Sequence, residues 1–192
     1  MIKAVIFDLN GVIVKSSALS ARFQEKFGVS EDKFYPALKE IMAKIRKPYA
    51  GDSFVYFEPY FKNWGVNLTK EEFFDFWFSA EKEVPEMIEL VKEIKQKGIK
   101  LFVLSNNFME RASYYEENFY SFKIFDKIYY SWQTGFVKPD LKAYKHLLSE
   151  NNLKLDECVY FDDSRENIEA AKSLGIKAFL FENIDSIREI IL

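Results

Sequence analysis

At 192 residues, 48% apolar and 30% charged, with 7 Gly and 5 Pro, the chain has the composition of a globular protein with a packed core, not of a disordered or fibrous one. That length suits one substantial core, or one domain carrying a smaller insertion, and leaves little room for two unrelated domains. The 27 basic and 30 acidic residues sum to −3 with no run of five or six like charges, so neither nucleic acid nor an anionic membrane gains electrostatic support.

Residues 3–7 open the chain as a short apolar run with little polar alternation, the pattern of a strand covered on both faces. Asp8 follows too early for the apolar region of a signal peptide, and no stretch reaches 18 uncharged apolar residues. Between residues 14 and 84 the periodicity is helical and no strand stands out, with candidate helices at 16–27, 31–46, 54–64 and 69–82. This block reads as a helical subdomain, residues 15–84, inserted into a core made of residues 1–14 and 85–192. It holds 16 of the 34 aromatic residues, including Phe73, Phe74, Phe76, Trp77 and Phe78. Most of them are expected to form the insertion's own small core, with a few facing a ligand.

Strand and helix patterns then alternate. Residues 85–97 form the clearest helix, with Met87, Leu90, Val91 and Ile94 on one face, Pro85 at the start and Gly98 just past the end. Leu141, Tyr144, Leu147 and Leu148 repeat the pattern after Asp140, a good N-cap. Ile168, Ala171 and Leu174 do so before Gly175. The apolar runs 100–104, 127–130, 158–161 and 177–181 are the intervening strands. This alternation predicts an α/β fold, a parallel sheet with right-handed crossovers. The single cysteine, Cys158, lies in one of these strands and has no disulfide partner, which favours a reducing compartment and a cytoplasmic location.

Open parallel sheets bind ligands at the carboxyl ends of their strands. Here those ends carry Asp8-Leu9-Asn10-Gly11, Ser105-Asn106-Asn107, Gly135 to Lys138-Pro139-Asp140, and Asp162-Asp163-Ser164. Each alone reads as a turn former or helix cap. Together they offer three acids, a hydroxyl and a lysine on one edge, a set suited to a divalent cation and a phosphoryl group. Oxygen-only ligands favour Mg2+.

The string Val5-Ile6-Phe7-Asp8-Leu9-Asn10-Gly11-Val12 resembles the first motif of the haloacid dehalogenase superfamily. Ser105, Lys138 and the pair Asp162–Asp163 stand in order where the second, third and fourth motifs stand. The resemblance spans the chain and implies a Rossmann-like core with a helical cap inserted after the first strand, in a phosphatase-like branch that uses Mg2+. It further implies that Asp8 attacks phosphorus to form an aspartyl-phosphate. The cation would be held by Asp8, the main-chain carbonyl of Asn10 and Asp163, with Asp162 behind them orienting metal waters. Ser105 and the backbone N–H groups from Asn106 onward would bind phosphoryl oxygens, and Lys138 would offset the negative charge. The implied partner is a small phosphorylated metabolite; monomer and homodimer both stay open.

Asn10 departs from the family, whose phosphatases usually carry a second aspartate there to protonate the leaving group and later activate water. An amide has no titratable proton. Three readings follow: a phosphatase of acyl phosphates, activated esters or slow turnover; a 2-haloacid dehalogenase, whose halide leaves without a proton; and a non-catalytic phosphate-binding or regulatory protein. His146, on a helical pattern without a Ser or Cys partner, reads as a surface or packing residue, and Cys158 as a buried small hydrophobe. In the insertion, Arg22 and Arg46 are cations that either reach an anionic substrate or sit as surface charges.

Overall fold

The computed structural model describes residues 1–192. The chain enters as β1 (Ala4–Phe7), turns at Gly11 and continues into a two-residue strand, β2 (Val14–Lys15). Four helices follow, α1 (Leu19–Phe27), α2 (Glu31–Ile45), α3 (Glu58–Trp64) and α4 (Lys70–Phe78), before β3 (Lys82–Glu83) returns antiparallel to β2. The second part comprises α5 (Pro85–Gln96), β4 (Lys100–Ser105), α6 (Met109–Asn118), β5 (Lys127–Tyr130), α7 (Ser131–Thr134) and α8 (Leu141–Glu150). It ends with β6 (Cys158–Asp162), α9 (Arg165–Ser173), β7 (Lys177–Leu180) and α10 (Ile184–Ile191).

The five long strands form one parallel sheet in the order β5-β4-β1-β6-β7, so the chain folds as an α/β Rossmann-like core carrying a helical cap. Side chains alternate across it because successive Cβ atoms of a strand point to opposite faces. Val5, Phe7, Leu101, Val103, Val159 and Phe161 pack beneath α5 and α10, while Ala4, Ile6, Phe102, Leu104, Cys158 and Tyr160 pack beneath α8 and α9. Each large side chain so buried stabilises the fold by roughly 1.5–3 kcal/mol. In the register, Phe7 lies opposite both Val103 and Phe161. Asp8 and Asp162 therefore leave adjacent strands at the same level.

The insertion has its own aromatic interior, built on Phe23, Phe34, Phe57, Phe61, Phe73 and Trp77. One ring of that interior comes from the sheet side: Phe108, fully buried just before α6, lies 5.2 Å from Trp77 and 6.1 Å from Phe74 between ring centroids. The cap is thus seated on the segment that follows the end of β4.

Three expectations need correction. The helix expected over 54–64 divides, because the Asp52 side chain caps a 3-10 turn at Ser53–Tyr56 and a new helix starts with Pro59 in its first turn, where a missing N–H costs nothing. The helix expected over 69–82 ends at Phe78: Thr69 and Glu72 form a capping box at its start, and Arg22 takes the carbonyls of Phe76 and Trp77 at its end. Arg22 is therefore a helix-ending cation and not a ligand contact. Finally, the insertion is bounded by a two-stranded ribbon, β2 and β3, too short to show any sequence period. No helix is long and apolar enough to cross a membrane.

Candidate active site

The strand ends meet as the register requires. Lys138 Nζ, almost fully buried, donates to Asp8 Oδ1 at 2.7 Å, to Asp162 Oδ2 at 2.7 Å and to the Tyr160 hydroxyl at 3.1 Å. Burial raises Asp8 to about 6, Lys138 opposes that shift, and Asp162 adds to it. For Lys138 burial disfavours the charge, yet Asp8 and Asp162 outweigh it and hold the ammonium above its ordinary value. Its backbone is clamped as well, since the Asn106 amide accepts from Lys138 N–H and donates to its carbonyl, both at 2.8 Å.

The carboxylates of Asp8, Asp162 and Asp163 present oxygens within 4.8 Å of one another. Asp162 is saturated by protein donors: Lys138, the Tyr160 hydroxyl, the Asn167 amide and the Ser164 N–H. Both of its oxygens are therefore taken up by the protein's own donors. Asp163 makes no side-chain hydrogen bond and faces the cleft; partial burial, then Asp162, pushes its carboxyl up, and Lys138 opposes them. A hard divalent cation fits this donor set, in which Asp8 and Asp163 would supply carboxylate oxygens. Ser105 Oγ, buried at the end of β4, lacks any hydrogen-bond partner.

Gly11 sits at φ +97° beneath this cluster, and a Cβ placed on it would lie 2.0 Å from Asp163 Oδ2. Only glycine allows both the left-handed turn and that approach. Gly11→Ala is expected to displace Asp163 and to weaken Mg2+ binding at least 10-fold in calorimetry while the far-ultraviolet spectrum stays unchanged; unchanged affinity would count against Asp163 as a ligand.

The position of Asn10 exposes residues that sequence reasoning missed. Its amide donates to the Tyr115 hydroxyl at 2.7 Å and accepts from Asn107 at 3.3 Å. Tyr115 in turn donates to Glu81 at 3.0 Å, and Glu81 is held by Arg111 through Nε and Nη2 at 3.0 and 2.6 Å. Glu81 and Tyr115 are buried. Arg111 and Arg46 both line the cleft, of about 350 Å³, whose walls also include Asp8, Asn10, Lys138 and Asp163 and, apart from the Pro139 ring, only polar or charged side chains. His146 packs against Tyr129 and Phe136, and burial pushes the Cys158 thiol up to about 12, so neither takes part.

The sequence pattern of haloacid dehalogenase-like hydrolases matches residues 5–181. The chain belongs to that family. Among relatives, the phosphorylated carbohydrates phosphatase of Thermotoga maritima is 27% identical over 192 aligned positions, covering 91% of this chain and 82% of that one. The sesquiterpene phosphatase astK of Aspergillus oryzae is 31% identical over 90, but the match covers only 47% of this chain, and the chain spans less than half (46%) of that relative's length. A HAD family enzyme of Bacteroides thetaiotaomicron, solved in complex with magnesium and inorganic phosphate, superposes with a TM-score of 0.82 at 20% identity, covering 97% of this chain and 99% of that one. At that identity the superposition speaks for the fold: the parallel sheet with its helical cap is shared.

Proposed function

We propose that this chain is a Mg2+-dependent phosphatase of small, polar phosphorylated compounds that works through an aspartyl-phosphate on Asp8. The single observation that carries the reading is Lys138 Nζ bridging Asp8 and Asp162 while Asp163, close by, keeps its oxygens free. A nucleophilic carboxylate, a fixed cation and an open metal ligand then share one strand edge. The phosphatase relatives and the magnesium and phosphate bound by the Bacteroides enzyme support the same reading.

Asp8 is the attacking group: a carboxylate oxygen bonds to phosphorus as the bond to the leaving oxygen breaks. Lys138 balances charge on Asp8 and on the transferring group in a site where burial magnifies the interaction. Ser105 and the backbone N–H groups after it receive phosphoryl oxygens. Bound Mg2+ supplies Lewis acidity and neutralises phosphoryl charge. Water then attacks phosphorus, releasing phosphate and restoring the Asp8 carboxylate.

Asn10 shapes which substrates turn over. Its amide, held between Tyr115 and Asn107, has no titratable proton, so it neither gives a proton to the leaving oxygen nor takes one from water. The leaving group must depart as a weak base, which favours acyl phosphates and activated esters over alkyl phosphates. Loss of general acid–base help is worth about 10²–10⁴ in rate.

The test is a panel of acyl, aryl, sugar and nucleotide phosphates, run with Mg2+ or EDTA on the native protein and on Asp8→Asn. Turnover is expected to be fastest with acyl phosphates, and to vanish both in EDTA and in the variant. After acetyl phosphate treatment, intact-mass spectrometry is expected to show one added phosphoryl group on the native chain alone. Phosphatase turnover that survives in Asp8→Asn would end this reading.

A further inference from the structure

The cleft contains two cations that the chemistry above leaves unused, Arg46 and Arg111. Arg46 closes α2, where Met42 and Ile45 are buried in the aromatic interior of the insertion, so the backbone carrying the guanidinium is anchored. Its Nε is buried without a hydrogen-bond partner. Burial disfavours its charge most, the Arg111 guanidinium adds to that, and only Asp8 opposes them.

Arg111 is different in one respect. Glu81 holds it through Nε and Nη2, which orients the group and leaves Nη1 without a protein acceptor. Two guanidinium groups thus line one polar cleft, and neither forms an ion pair with its carboxylates Asp8, Asp163 and Glu166; the one carboxylate paired with either of them is Glu81, on Arg111. A buried charge without a counter-charge is costly, and a guanidinium answers best to the paired oxygens of a carboxylate or phosphate.

The transferring phosphoryl group does not need them. Lys138, held by Asp8 and Asp162, already lies beside the nucleophile, whereas Arg46 enters from the insertion. We propose that Arg46 and Arg111 form a second anion subsite, so that the substrate carries a carboxylate or a second phosphate a few bonds from the phosphoryl group that is removed. This rests on the phosphoryl site of the preceding section and narrows its substrate class. A neutral sugar phosphate would leave Arg46 unpaired, and a hydrocarbon tail would meet a wall whose one apolar side chain is Pro139.

Titration calorimetry in Mg2+ tests this without turnover. The probes are alkylphosphonates, ω-carboxyalkylphosphonates with one to three methylenes, and α,ω-diphosphonates of the same lengths, each against the native protein, Arg46→Gln and Arg46→Lys. The best carboxyl- or phosphono-ended probe is expected to bind native protein at least 10-fold more tightly than its methyl-ended counterpart. That ratio is expected to fall to about one in Arg46→Gln and to lie between in Arg46→Lys, with affinity for the methyl-ended probe changed less than 3-fold. Which of the two ends binds more tightly identifies the second anion. The proposal is overturned if native protein shows no preference for a second anion, or if Arg46→Gln weakens methyl-ended and charged probes equally, because Arg46 then grips the transferring phosphoryl group. Native protein that binds no phosphonate at all would instead remove the phosphoryl site, and the subsite with it.

Discussion

Lys138→Met is expected to cost the metal-free protein about 3–5 kcal/mol of folding stability and to abolish phosphatase turnover. Lys138 Nζ lies 2.7 Å from an oxygen of each of two carboxylates, and its side chain is 2% exposed, as against 12% for Asp8 and 0% for Asp162. Removing one partner of a buried ion pair leaves the other charge uncompensated, and that is far more damaging than replacing the whole cluster. The loss should depend on pH, with a sign set by Asp8. Its carboxyl stands at about 6 in the folded protein against an ordinary 3.8, so between these values the folded state holds a proton that the unfolded state has released. Stability contributed by this group therefore falls as pH rises through that window. Without Lys138 the folded value climbs further, and the deficit in the variant should be larger at pH 7.5 than at pH 5. Magnesium should return part of it by bringing positive charge back to Asp8 and Asp163. Urea unfolding at both pH values, with and without millimolar Mg2+, measures all of this; a variant as stable as native protein at pH 7.5 would mean that Lys138 does not compensate the cluster.

The five core strands could be read from the sequence because each is buried on both faces, which removes the polar alternation of a half-exposed strand and leaves continuous runs such as Val5-Ile6-Phe7 and Val159-Tyr160-Phe161. The site residues carried by those strand ends were legible for the same reason: once β1 and β6 pair in register, Asp8 and Asp162 have nowhere else to go. What could not be read is whatever depends on contacts across long stretches of chain. Tyr115 meets Asn10 from 105 positions away, and Glu81 reaches Tyr115 from 34. Nothing in the local wording around Arg111 separates it from a solvated helix face; its place one turn into the helix that follows Ser105-Asn106-Asn107 was the only available signal. Arg46 was visible as an insertion cation, but Arg22 looked the same, and only tertiary structure sends one to the carbonyls at the end of α4 and the other to the cleft. Strands of two residues, such as those flanking the insertion, hold too few positions for a period to exist.

Asn10→Asp is expected to raise turnover of alkyl phosphates by up to the roughly 10²–10⁴-fold typical of general acid catalysis, with much less effect on aryl phosphates. The surroundings of Asn10 qualify how that gain is realised. Tyr115 has one hydroxyl proton and gives it to Glu81, so it can only accept from position 10, and an amide donor satisfies that requirement. An ionised carboxylate there would face a lone pair across 2.7 Å, with a second carboxylate, Glu81, on the far side of the ring hydroxyl. The new acid should therefore stay protonated well above the usual carboxylate range. Protonated, it is a good acid for the leaving alkoxide and a poor base for the water that follows. Asn10→Asp should accordingly show a burst of released alcohol near pH 7, then slow steady turnover with phosphoryl-Asp8 accumulating. Adding Glu81→Gln lets the Tyr115 proton turn to the introduced carboxylate, lowers the pKa of that group, and should shrink the burst while raising the steady rate. Rapid-quench measurements on glycerol and aryl phosphates decide the matter. Equal gains for both leaving groups would show that position 10 takes no part in proton transfer, and a burst unaffected by Glu81→Gln would show that the buried Tyr115–Glu81 pair does not govern it.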